Sequence, residues 1–167
     1  MRIANYIQDS IVDGPGLRFT LFTQGCPHLC EGCHNPDTHD FQGGREMAAE
    51  EIIGLMLSNP LTDGITLSGG EPFSQAGDCA KIAAAAKQAG LNVWAYSGWT
   101  IEELIADIVP GSLNLLTLCD VLVDGRFMLS QRNLALKWRG SENQRVLDVK
   151  KSLEAKNAVS WEAPQYI

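Results

Sequence analysis

Apolar residues fall on two spacings along this chain, one suited to strands and one to helices, and the two take turns. Residues 17–22 form a dense strand-like run. Over 47–58 the period lengthens to that of a helix, with Ile52, Ile53, Met56 and Leu57 on one apolar stripe. Asn59-Pro60 stops it and Asp63-Gly64 turns the chain. A short strand over 65–67 runs into Ser68-Gly69-Gly70. An alanine-rich helix follows over 75–89, with Gly90 as its C-terminal cap. The next strand, 91–96, enters Ser97-Gly98. Thr100 caps a helix reaching 108, with Glu102 and Glu103 in its first turn. Pro110-Gly111 punctuates, 120–123 reads as a buried strand ending at Asp124-Gly125, and 145–149 as a last strand.

Strands alternating with helices predict an α/β fold around a mainly parallel sheet. No repeat, linker or second unit is visible, so 1–167 reads as one domain. In such folds ligands gather at the carboxyl ends of the strands. Polar, glycine-rich or cysteine-rich sequence follows four of the predicted strands, so one rim is expected to carry the chemistry.

The first of these segments is the most distinctive. Cys26, Cys30 and Cys33 form a C-x3-C-x2-C cluster within eight residues, directly after the first strong strand. A loop this short can wrap three thiolates around one cubane iron–sulfur cluster. Electron-transfer clusters of that kind take four cysteines. Three would leave one iron open to a small molecule, which turns a carrier into a candidate catalyst. Two alternatives stay open: a structural zinc site completed by His28 or His34, and a carrier cluster completed by Cys79 or Cys119. Zinc sites usually come as paired C-x2-C knuckles, and Cys79 and Cys119 sit in apolar surroundings that suit buried small hydrophobes.

The other strand ends add candidates. Gly69 and Gly70 let the backbone approach a ligand closely, and Glu71 adds negative charge or a structural bond. Asp124-Gly125-Arg126 puts both charges at a strand end; Arg126 suits a ligand carboxylate, and Asp124 a ligand group or a cation. Residues 138–141 and 143–145 are polar and basic, fit to close over the site or to meet a partner. Pro and Gly explain Asp13-Gly14-Pro15-Gly16 as a plain turn, and Arg18 behind it is a second-tier candidate to face an acidic group. His39 reads as a surface residue. No catalytic-triad order, phosphate-cradling loop or nucleotide fingerprint is present.

Composition narrows the setting. Apolar residues make up 45% of the 167 and charged ones 20%, enough for one core and unlike a disordered chain. The net charge of −7 argues against nucleic-acid binding. It is unevenly spread: residues 1–125 carry 5 Lys/Arg against 16 Asp/Glu, whereas 126–167 carry 8 against 4. A basic C-terminal segment on an acidic body suits an anionic ligand or partner. No signal segment or membrane span is visible, and clustered, odd-numbered cysteines suit a reducing, cytoplasmic setting.

The cysteine motif followed by Gly69-Gly70-Glu71-Pro72 resembles the radical S-adenosylmethionine superfamily. Asp13-Gly14-Pro15-Gly16, then Phe22-Thr23-Gln24-Gly25-Cys26, then Cys33-His34-Asn35, is similar to its glycyl-radical-enzyme activases. Ser97-Gly98-Trp99, residues 121–127, and Trp138-Arg139-Gly140-Ser141 with Asn143-Gln144 narrow the likeness to activators of anaerobic ribonucleoside-triphosphate reductase. The resemblance covers nearly the whole chain.

It implies an incomplete, open (β/α) barrel and a [4Fe-4S] cluster on Cys26, Cys30 and Cys33. S-adenosylmethionine would chelate the open iron, with Gly69, Gly70 and Glu71 along its methionine part, Ser97 and Asp124 nearby, and Arg126 at its carboxylate. Cleavage would give methionine and a 5′-deoxyadenosyl radical that takes hydrogen from a glycine of the partner reductase, with a reductant such as flavodoxin. Two positions depart from the family pattern. Gly32 replaces the usual aromatic residue before the third cysteine, leaving His34 or Asn35 for the adenine. Ala95 stands where related activases carry the first of two cation-binding aspartates, leaving Asp124 alone. A small-molecule radical enzyme and a noncatalytic iron–sulfur carrier are the rival readings.

Overall fold

Period-two segments pair into a seven-stranded sheet, and period-3.6 segments cover one of its faces. The computed structural model describes residues 1–163. In chain order the strands are β1 (Arg2–Ser10), β2 (Arg18–Thr23), β3 (Arg45–Glu46), β4 (Gly64–Gly69), β5 (Asn92–Ser97), β6 (Val121–Asp124) and β7 (Arg145–Asp148). The helices are α1 (Ala49–Met56), α2 (Ala76–Gln88), α3 (Ile101–Ile105), α4 (Ser112–Leu118) and α5 (Val149–Ala155). The strand order is β3-β1-β2-β4-β5-β6-β7. β2, β4, β5 and β6 run parallel, while β1, β3 and β7 add antiparallel strands at the two edges. The sheet is therefore α/β with a parallel centre, and it is open rather than closed into a ring.

Alternation along each strand divides the core. Phe19, Leu21, Ile65, Leu67, Val93, Ala95 and Leu122 point to the helix side, against Ile52, Met56, Ile82, Ala83, Leu104, Leu115 and Leu116. Trp94, Val121 and Val123 point the other way and meet Trp138 and Trp161. The three tryptophans stand edge to face with ring centroids 5.0–5.6 Å apart. Burying them fills one part of the helix-free face. Among the described residues no helix is long and apolar enough to cross a membrane.

Arg18 lies beneath this aromatic group and is fully buried. Its Nε donates to Thr66 Oγ1 at 2.6 Å, and its Nη atoms donate to the carbonyls of Pro15 and Ile65. The guanidinium also sits 5.5 Å from the Trp94 ring centroid. The expected acidic partner is therefore replaced by neutral acceptors. Burial accordingly lowers its pKa to about 10. Thr66 Oγ1 in turn donates to Asp13 O, so Arg18 and Thr66 together fasten the 13–16 turn.

The predicted central strands and first two helices form, with ends displaced by one or two residues. Four further elements form where none was expected. β1 carries Asn5, Gln8 and Asp9 and buries only Ile3 and Ser10, so its alternation is too weak to read. β3 has two residues, and α4 and α5 are seven-residue helices. The last strand stops at Asp148, which caps α5 by accepting from Lys151 N at 3.0 Å.

Arg145 on β7 staples this edge. It donates to both oxygens of the buried Asp124 carboxylate, at 2.9 and 2.5 Å, and to both oxygens of Glu102 in the first turn of α3. Replacing Arg145 with Ala strands a buried carboxylate, a loss of about 3–5 kcal/mol; urea unfolding should register it, and a loss below about 1 kcal/mol would refute it. Arg145 also holds the Glu102 carboxyl below its usual range. That contribution is present above the unfolded carboxyl value of about 4.3 and is lost as pH falls through the lower folded one. The variant should lack this part of the acid dependence.

Candidate functional site

The carboxyl ends of β2, β4, β5 and β6 open onto one cavity of about 540 Å³. Cys26, Cys30 and Cys33 line it, together with His34 and Asn35 from the same loop. Ser68, Gly69 and Gly70 follow β4, Tyr96, Ser97 and Gly98 close β5, and Gly125, Arg126 and Phe127 follow β6. Trp138, Arg139, Gly140 and Gln144 complete the wall.

Backbone bonds fix the cysteine loop. Gly25 N donates to Thr38 O at 2.8 Å and Cys26 N to His39 O at 3.1 Å, closing the loop on itself. Gln24 Nε2 donates to the carbonyls of Asp37 and Asp40 and holds its far side. The Gly69-Gly70 turn presses against it: Gly70 N donates to Thr23 O and Glu71 N to Gly25 O. Gly69 has φ +94°, and a Cβ at Gly70 would stand 2.5 Å from Gly25 O, so only glycine permits this approach.

The thiols are set by burial and by nearby N–H groups. Burial pushes Cys26 and Cys30 above the usual thiol range. The backbone N–H groups of His28 and Leu29 oppose this at Cys26, and that of Phe127, with the Arg126 charge, opposes it at Cys30. Asn35 N donates to Cys33 Sγ at 3.4 Å. Arg126 is exposed at the rim and forms no ion pair among the described residues. The His34 ring lies 5.0 Å from Phe127, and Leu129 packs over Gly32.

Two of the residues expected at a ligand point elsewhere. Glu71 is fully buried and absent from the cavity wall. Its carboxylate accepts from Phe73 N at 3.0 Å, Gly98 N at 2.8 Å, Ser97 Oγ at 3.1 Å and His28 Nε2 at 2.9 Å. Asp124 is likewise buried; it accepts from Ile101 N at 2.8 Å and holds Arg145. A guanidinium thus occupies the carboxylate that the sequence offered to a cation. Both residues organise strand ends from within.

His39 departs from expectation in the other direction, because it lies in the cavity wall with Nε2 buried and unpartnered. Tyr96 is a cavity residue unassigned from sequence, and His28 was suggested there only as a fourth ligand of the alternative zinc site. Strand alternation carries a signal for Tyr96, which shares the Trp94 face of β5; only the tertiary contact reveals the bond of His28 to Glu71.

The residues present fit an iron–sulfur cluster. Three thiols share one cavity, and His28 Nδ1 and His39 Nε2 beside them are buried without partners. Among the described residues, no three His, Cys, Asp or Glu side chains converge tightly enough to hold a single metal ion. Cys79 and Cys119 are buried in the helix-side core, away from the cavity wall, and desolvation pushes Cys119 up to about 12 and Cys79 higher still. Neither stands where a fourth ligand would.

Residues 12–147 match a family model described as a 4Fe-4S single cluster domain. The chain is 36% identical over 154 residues to the anaerobic ribonucleoside-triphosphate reductase-activating protein of Salmonella typhi, covering 87% of this chain and 97% of the relative. It is 35% identical over 156 residues to the protein of the same name in Escherichia coli K12, with the same coverage. A third relative of that name, from Enterobacteria phage T4, is 32% identical over 143 residues, 81% of this chain and 86% of its own.

Alanine at Cys26, Cys30 or Cys33 should abolish bound iron and sulfide after anaerobic reconstitution. Cys79→Ala should keep both and cost about 1 kcal/mol of packing. Iron and sulfide analysis with urea unfolding checks this; loss of the cluster from Cys79→Ala alone would contradict it.

Proposed function

The chain belongs to the iron–sulfur family of anaerobic ribonucleoside-triphosphate reductase-activating proteins, and from that premise we propose that it installs a glycyl radical on such a reductase by cleaving S-adenosylmethionine. The observation that carries this reading is a cavity lined by three thiols and no fourth, beside the Gly69-Gly70 edge and Arg126. When bound, a [4Fe-4S] cluster on these thiolates supplies the electron that splits the sulfonium C–S bond, and the 5′-deoxyadenosyl radical released takes hydrogen from a glycine of the partner's radical subunit.

The chain's own residues bind, orient and shield. Cys26, Cys30 and Cys33 would hold the cluster as its three protein ligands, which would leave a position for S-adenosylmethionine. The exposed backbone edge at Gly69 and Gly70 receives its ammonium group, with Ser97 beside it. Arg126, without an ion pair among the described residues, takes the carboxylate. His34, Asn35 and Phe127 flank the adenine, a task the Gly32 position leaves vacant. Tyr96 and Trp138 exclude water from the deeper wall. The open sheet corresponds to an incomplete (β/α) barrel of the radical S-adenosylmethionine type, wide enough at its mouth for a partner's glycine loop. A flavodoxin-type protein serves as electron donor, in the cytoplasm.

Anaerobically reduced protein should form 5′-deoxyadenosine from S-adenosylmethionine, and adding the reductase should produce the doublet spectrum of a glycyl radical. Deoxyadenosine without a glycyl radical would turn the reading toward a small-molecule radical enzyme. Neither product from a loaded cluster would leave a carrier. Arg126→Ala should weaken S-adenosylmethionine binding roughly tenfold to hundredfold, the worth of a charge-assisted hydrogen bond, at unchanged iron content. Unaltered affinity, read by equilibrium dialysis, would remove Arg126 from the site.

A further inference from the structure

His28 stands between Cys26 and Cys30, flanked by the exposed Pro27 and Leu29, yet its own side chain is only 2% exposed. Three contacts bury it. Nε2 lies 2.9 Å from Glu71 Oε2. The ring meets Trp99 edge to face, with centroids 4.6 Å apart. Gly98 lies flat against it, since a Cβ there would fall 2.2 Å from His28 Cδ2. A carboxylate only accepts, so Nε2 carries the hydrogen that points to Glu71.

Glu71 carries the contact onward. The same carboxylate receives Phe73 N beyond β4, and Ser97 Oγ and Gly98 N at the end of β5. One buried anion therefore joins the cysteine loop to two neighbouring strand ends. The cysteine loop has no helix or strand of its own from Gln24 to Asn35, so this contact sets where the segment from Cys26 to Cys30 lies.

We propose that His28 is a positioning residue of the iron–sulfur site: clamped by Glu71, it fixes the segment from Cys26 to Cys30 and with it the placement of two of the three thiols. Outer contacts that orient a ligand support the affinity of a site for its metal and tune its potential. The clamp thus slows iron loss. This rests on the reading of Cys26 as a cluster ligand, and not on which reaction follows.

The test uses full-length, anaerobically reconstituted protein and two polar replacements of similar size. In His28→Gln the side-chain amide reaches the position of Nε2 and can donate to Glu71. In His28→Asn it ends near Nδ1 and falls short. Electron paramagnetic resonance during a redox titration gives the midpoint potential, and a ferrous chelator gives the rate of iron release. His28→Asn should shift the potential and release iron at least tenfold faster; His28→Gln should stay close to the parent in both. Glu71→Gln should behave like His28→Asn, because its amide NH2 must face a backbone N–H of Phe73 or Gly98. Equal behaviour of the Gln and Asn variants at position 28, whether both intact or both impaired, would overturn the clamp. A Cys26→Ala protein that keeps its cluster would overturn the ligand reading beneath it.

Discussion

A buried carboxylate is costly unless every oxygen is met by a donor, and the functional end of this protein is organised by meeting that demand at Glu71. Its donors come from the cysteine loop, from the turn after β4 and from the end of β5. The cysteine loop among them has no helix or strand of its own to define its position at the rim. The demand for donors supplies that definition. Moving any one of the three away would leave charge unsatisfied in a dry environment, so the three keep a common geometry. Asp124 repeats the device one strand further on, with Ile101 N and Arg145 as donors.

The sheet explains why this end is accessible. Helices cover one face, so the apolar half of each strand is spent on a dry core. The other face is filled partway by Arg18 and the Trp94, Trp138 and Trp161 group. Above that filling the cavity remains, bounded by strand ends and by residues 138–144 folded back on β6. Gln144 holds that fold: it donates to Gly125 O and accepts from Gly140 N and Ser141 N. With edge strands on both sides rather than a closed ring, the mouth stays wide.

Much of this was legible in the residues, and the exceptions share a cause. Cys26, Cys30 and Cys33 announce themselves by spacing, and Gly69-Gly70 and Arg126 by their place after predicted strands. Those three groups do line the cavity. Glu71 and Asp124 stand in equally suggestive places, yet their carboxylates are consumed internally. Sequence order places a charged residue at a strand end but does not say which backbone N–H groups will converge on it. Arg18 misled for the same reason: its neutral partners, Thr66 Oγ1 and two carbonyls, come from a strand almost fifty residues away and from its own turn. β1 was illegible because only Ile3 and Ser10 along it are buried and its other positions mix polar and half-buried residues.

The central claim is that three thiolates leave one iron of a cubane cluster free for S-adenosylmethionine. Mössbauer spectroscopy of 57Fe-reconstituted protein, recorded with and without S-adenosylmethionine, tests it most directly. The account predicts that about one iron in four changes its isomer shift when S-adenosylmethionine is added, while the others, held by cysteine, do not. A spectrum in which all the irons are equivalent and unaffected by S-adenosylmethionine would mean a fully ligated cluster, and would contradict it.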